Sequence, residues 1–144
     1  MIITEEIIKE KFTEYNKLYF KGKLPEPEFN VIESYNTFGY FSYVKTFTDT
    51  GRLCQASIDV TRCYDWTEEA LRDVIVHEMI HYWLAYKRID KKVKHGKEFM
   101  QMCNEYNEKY GLHLAKKYRF DDLKQIKKTP KKRSWGLFSL FKKH

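Results

Sequence analysis

The sequence predicts an α+β domain in which a small antiparallel sheet packs on a central helix, with further helices flanking it. Three observations predict it. Apolar residues recur at three- and four-residue spacing near 4–20 and 96–110; a nearly all-apolar helical stretch lies between them; and three segments rich in aromatic and β-branched residues follow the first stripe. A length of 144 residues bounds the chain to one domain with a short appendage and excludes two catalytic domains. With 42% hydrophobic and 17% aromatic residues, but only 6 Gly and 3 Pro, the composition fills a core and excludes a disordered or collagen-like chain.

The elements follow in order. Ile7, Ile8, Phe12, Tyr15, Leu18 and Tyr19 form the stripe of a helix over 4–20, opened by Thr4 with acids behind it and ended near Gly22. Pro25 and Pro27 then force an extended exit, because proline holds itself and its predecessor to non-helical angles. Residues 29–32, 39–47 and 54–60 read as strands, with Thr48-Asp49-Thr50-Gly51 as a hairpin turn. Asp65 and Glu68 have capping-box spacing, so a second helix starts at Asp65 or Thr67 and runs to about Arg88. A third covers 96–110, with Phe99, Met100, Cys103 and Tyr106 on one side and Gly111 as its stop.

Charge divides the chain unevenly. Residues 116–144 hold 11 basic and two acidic side chains, a net +9, while the remainder is slightly acidic. The folded domain is therefore placed at 1–125 and a basic, aromatic tail at 126–144. Lys127, Lys128, Lys131, Lys132 and Arg133, with Trp135 for stacking, suit sequence-independent contact with DNA. A membrane interface for Trp135, Leu137, Phe138, Leu140 and Phe141 is disfavoured, because Pro130 and Gly136 interrupt a long amphipathic helix. Acids follow Met1 where a secretory signal carries bases, and no apolar run spans a bilayer, so a cytoplasmic protein is expected. Cys54, Cys63 and Cys103 form no CxxC pair and read as half-buried free thiols.

The chemistry concentrates on the second helix. From Val74 to Tyr86 every residue is apolar or aromatic except His77, Glu78 and His81. Burying three ionisable groups is unfavourable by several kcal/mol unless something neutralises them, roughly as a divalent cation does. Positions i and i+4 share a helix face, so both histidines can present a nitrogen to one ion while Glu78 stands at the flank. A shuffled chain of this composition holds on the order of 0.01 His-Glu-x-x-His patterns. A catalytic zinc needs a third protein ligand and an open position. His95 is favoured, because Gly96 lets the backbone turn inward at the start of the third helix; Glu98 and Glu105 are the alternatives. Lys87 stands where the metzincin pattern requires its third histidine, and His113 and His144 read as surface residues.

Leu71-Arg72-Asp73-Val74-Ile75-Val76-His77-Glu78-Met79-Ile80-His81 and the later His95-Gly96-Lys97-Glu98-Phe99 resemble the HExxH and HGxxF elements of the SprT-like, or Spartan-like, zinc metallopeptidases. Asn16-Lys17-Leu18-Tyr19-Phe20-Lys21-Gly22-Lys23-Leu24-Pro25 is similar to that family's first helix and loop, and Gly39-Tyr40-Phe41 to its first hairpin, so the resemblance spans about 10–111. It implies a zincin-like minimal metalloprotease domain, one Zn²⁺ per chain on His77, His81 and His95, and Glu78 as catalytic acid/base. The implied function is zinc-dependent hydrolysis of peptide bonds in protein substrates, including proteins bound or crosslinked to DNA. Many relatives carry a Cys-rich zinc ribbon after this domain; here the basic tail stands in its place. The competing reading is a non-catalytic, zinc-containing protein that binds nucleic acid or a partner.

Overall fold

In the computed structural model, which describes residues 1–47, 53–90 and 92–126 (side chains outside 45–54), the first helix forms where the apolar stripe places it. Helix α1 spans Glu5–Phe20, and the Thr4 hydroxyl accepts the Ile7 amide at 3.2 Å to satisfy an otherwise open donor. Ile8, Phe12, Tyr15 and Phe20 are buried, whereas Leu18, counted in the stripe, is 55% exposed. Lys21 and Gly22 close the helix at φ of 55° and 69°, left-handed angles that glycine adopts without strain. The Asn16 amide donates to the Leu24 carbonyl at 2.9 Å and accepts its N–H at 3.2 Å, which ties down the turn before Pro25.

Strands β1 (Glu28–Ile32), β2 (Gly39–Phe47) and β3 (Leu53–Thr61) form one sheet in the order β1-β3-β2. The sheet is mixed, not antiparallel throughout: β2 pairs antiparallel with β3, but β1 runs parallel to it, with Phe29 opposite Ile58 and Val31 opposite Val60. Alternating apolar residues fix which face of a strand is buried but leave its partner and direction open. The choice is made by residues 33–38, which round the end of β3. There the Thr61 hydroxyl donates to the Ser34 carbonyl at 2.6 Å and accepts the Ser34 amide at 3.1 Å, and the Thr61 amide donates to the Phe38 carbonyl. A separate two-residue pair, β4 (Tyr64–Asp65) with β5 (Lys124–Gln125), was not expected from the sequence and draws the chain after the last helix back to the segment that follows β3.

Helix α2 (Glu68–Tyr86) starts on Thr67, whose hydroxyl accepts the Ala70 amide at 3.1 Å. Asp65 does not cap it; that carboxylate pairs with the Met1 amine, and Glu68 pairs with Lys11 at 2.8 Å. Fourteen of the 19 residues of α2 are buried, so it occupies the centre, against α1, β2, β3 and α3 (Lys97–Tyr110). Phe41, Ile58 and Val60 cover it from the sheet, Ile8 and Phe12 from α1, Phe99 and Cys103 from α3. Tyr82 stacks on Phe41 at 5.2 Å and donates its hydroxyl to the Pro25 carbonyl, satisfying a buried phenol. Gly111 ends α3 at φ 69°.

Cys63 and Cys103 are free and fully buried, and Cys54 lies outside the residues whose side chains are described. The turn at 48–51 and the basic stretch 127–144 also lie outside the described residues. Among those described, no helix is long and apolar enough to cross a membrane. Thr67→Ala should lower the unfolding free energy by about 1 kcal/mol, read as a shifted urea midpoint with unchanged slope.

Candidate metal centre

One helical turn separates His77 from His81, and the two rings stand 5.0 Å apart between centroids on the same face of α2. His95, just before α3, brings its Nε2 to 3.2 Å from His77 Nε2 and its ring to 5.0 Å from that of His81. One ligand atom from each of the three lies within 4.8 Å of the others, a set that can hold a metal ion. Phe99 is the floor beneath them: fully buried, it stacks on His81 at 4.1 Å and meets His77 and His95 edge-on at 4.8 and 5.1 Å.

Gly96 plays a smaller part than the sequence suggests. Its φ is −87°, an extended angle open to any residue, and the nearest atoms an added Cβ would meet belong to the flexible Lys94 side chain, at 3.2 Å. The inward turn of His95 therefore does not require glycine. Gly39 is the position that does: an added Cβ would lie 2.7 Å from Val74 Cγ1 and 3.4 Å from Glu78 Oε2. Its missing side chain lets the start of β2 close on α2 beside the Glu78 carboxyl.

Glu98 and Glu105, the alternative third ligands, are both exposed, with Glu105 accepting from Gln101 Nε2 at 3.4 Å along the outside of α3. Neither joins the histidine cluster. His113 is exposed, as expected, and His144 is outside the described residues. Lys127, Lys128, Lys131, Lys132, Arg133 and Trp135 also fall outside them.

Burial sets the protonation states. It lowers the His77 pKa to about 4, helped by the nearby His95 and opposed by the Ala115 carbonyl, and lowers that of His81 to about 3, with His77 and His95 adding to the effect. His95 shifts down as well, through burial and then the charges of Lys116 and Lys117. Burial raises Glu78 to about 8, with Asp59 adding to it. The 3.8 Å approach of His77 Nε2 to Glu78 Oε2 is thus a contact between a neutral ring and a carboxylic acid in the metal-free state.

These features fit a divalent cation. Three neutral imidazoles offer lone pairs, and an all-nitrogen donor set suits zinc. The Nδ1 of His81 is buried with no hydrogen-bond partner among the described residues, a penalty that an ion bound at that nitrogen would offset. Two further contributors could not be read from the amino-acid pattern. The Ala115 carbonyl lies 3.0 Å from His77 Nδ1, and the Tyr118 ring stands 5.3 Å from that of His77. A backbone carbonyl leaves no mark in a sequence, and Tyr118 is one of 11 tyrosines.

The family model for the SprT-like family matches residues 8–120. No curated protein matches the chain.

Stability of the metal-free protein should depend on pH in two opposed ways. The folded imidazoles titrate below the ordinary 6.5, so their contribution is full above 6.5 and is lost as pH falls through about 4 and 3. Glu78 titrates near 8 rather than 4.5, so its contribution is full below 4.5 and is lost as pH rises through 8. Urea midpoints after chelation should therefore decline on both sides, and Glu78→Gln should abolish only the alkaline decline.

Proposed function

The chain belongs to the SprT-like family, and from that premise we propose that it is a zinc-dependent endopeptidase hydrolysing peptide bonds of protein substrates. The observation that carries the reading is the convergence of three neutral imidazoles beside the buried carboxyl of Glu78. His77, His81 and His95 would hold one Zn²⁺, whose Lewis acidity polarises a carbonyl and brings the pKa of water toward neutrality. Glu78 moves the proton. The charge of a bound cation would favour the ionised form of Glu78, and the carboxylate would then take a proton from the attacking water and return it to the departing amine, so one group serves both steps without a covalent intermediate. Among the described residues β2 pairs only with β3, so its other edge is available to an extended peptide, and Gly39 at its start stands next to Glu78.

Proteins bound or crosslinked to DNA are the substrates we favour. Lys116, Lys117 and Arg119 are exposed on the segment that carries the Ala115 carbonyl to His77, and they lead in sequence toward the basic residues 127–133. This same line of charge favours the second reading, a zinc-containing protein whose task is nucleic-acid binding without catalysis. The buried free thiols Cys63 and Cys103 accord with a cytoplasmic setting.

Purified protein should hold about one zinc per chain, and Glu78→Gln should keep the metal while losing at least 100-fold in cleavage of an unfolded protein substrate. Undiminished cleavage by that variant removes Glu78 from the mechanism, and zinc without turnover, with or without DNA, favours the binding reading. Replacing Lys127, Lys128, Lys131, Lys132 and Arg133 with Gln should weaken DNA binding at low salt and flatten its log–log salt dependence by up to about 4. Equal binding by that variant removes the tail from the DNA contact.

A further inference from the structure

We propose that Tyr118 is a positioning residue for the metal centre: by clamping the segment after α3 onto α2, it seats the Ala115 carbonyl on His77 and holds that ring with Nδ1 protonated and Nε2 free for zinc. The inference rests on the three histidines being the zinc ligands. After Gly111 the chain turns back along α2, with Leu112 and Leu114 buried. Asn107 fixes that turn, donating from Nδ2 to the Leu114 carbonyl at 2.9 Å and accepting the Leu114 amide at 2.7 Å. The next carbonyl, that of Ala115, lies 3.0 Å from His77 Nδ1.

A carbonyl can only accept, so His77 Nδ1 carries the proton and its Nε2 presents the lone pair. That Nε2 is the atom 3.2 Å from His95 Nε2. In the metal-free protein His95 donates to it, and both residues would be among those that hold the ion. The three rings are not equally constrained. Among the described residues His81 has no partner at Nδ1, and its ring is held by its stack on Phe99, whereas the orientation of His77 is set by a hydrogen bond from a segment distant in sequence.

Tyr118 is what keeps that segment in place. Its hydroxyl accepts the Ala115 amide at 3.2 Å and donates toward the Asp73 carbonyl at 3.4 Å, one helical turn before His77. One hydroxyl thus links the residue that orients the ligand to the helix that bears it. The ring stacks on Phe120 at 5.1 Å, and Phe120 packs against Phe38 and Trp66, so the clamp is backed by the core. With donor and acceptor both engaged on the backbone, the hydroxyl acts through Ala115 and His77 and not on a substrate.

The test compares Tyr118→Phe with Tyr106→Phe, which removes a hydroxyl donating to the Tyr19 carbonyl at 2.6 Å between α1 and α3. Imidazole ¹⁵N–¹H correlation spectra of the metal-free protein should show wild-type His77 as the Nδ1–H tautomer. Tyr118→Phe should mix the tautomers and weaken zinc binding about tenfold in competition with a chromophoric chelator. Tyr106→Phe should leave both readouts unchanged. An Nε2–H tautomer in the wild type overturns the inference, as does a Tyr118→Phe affinity within twofold of wild type or matched by Tyr106→Phe. A wild type that binds no zinc overturns the peptidase reading together with this one, whereas tight zinc binding unaltered by Tyr118→Phe overturns this one alone.

Discussion

Four ionisable side chains, Asp73, His77, Glu78 and His81, sit on a helix that water scarcely reaches. Each must be answered by something other than solvent, and the answers shape much of the molecule. Asp73 takes two hydrogen bonds from Arg72, at 3.1 and 3.2 Å. His77 and His81 shed their charge, and Glu78 keeps its proton to about pH 8. A helix so apolar would otherwise be plain core. Its three charge-shedding residues convert it into a set of lone pairs with a proton carrier alongside.

The surrounding elements supply walls in proportion to how closely they can approach. At Gly39 the sheet comes near enough that a methyl group would strike Val74, and so the Glu78 carboxyl has backbone for a neighbour. From the other side α3 contributes Phe99 as floor, and the residues just before it contribute His95 as the third imidazole. The segment from Leu112 to Phe120 then closes the remaining side, meeting His77 through Ala115 and the core through Phe120. Three separate pieces of chain thus converge on one turn of α2. Their convergence is the physical basis for the histidine group that could hold a metal ion in this member of the SprT-like family.

Charge outside the centre has a different arrangement. Lys116 and Lys117 lie close enough to His95 to push its pKa down, so the rim on that side is positive while the buried face is neutral. An anionic group approaching this rim is attracted before any contact with the three histidines, and salt weakens that attraction.

Much of this was legible in the sequence. The stripe of Ile8, Phe12 and Tyr15, the His77-Glu78-x-x-His81 spacing and the His95 to Phe99 run located the three helices and the histidines that cluster, because helical periodicity and residue spacing are local properties of the chain. Beyond the reach of local pattern lay the parallel seating of β1, the β4–β5 pair, the pairing of Asp65 with the Met1 amine and the exposure of Leu18. The same holds for the Ala115 carbonyl on His77 and the hydroxyl of Tyr118 behind it. Strand direction, the partner of a carboxylate and the neighbour of an imidazole depend on which distant segments meet in space. Only the packed chain decides that, because backbone groups are alike at every residue and acquire distinct roles through position alone.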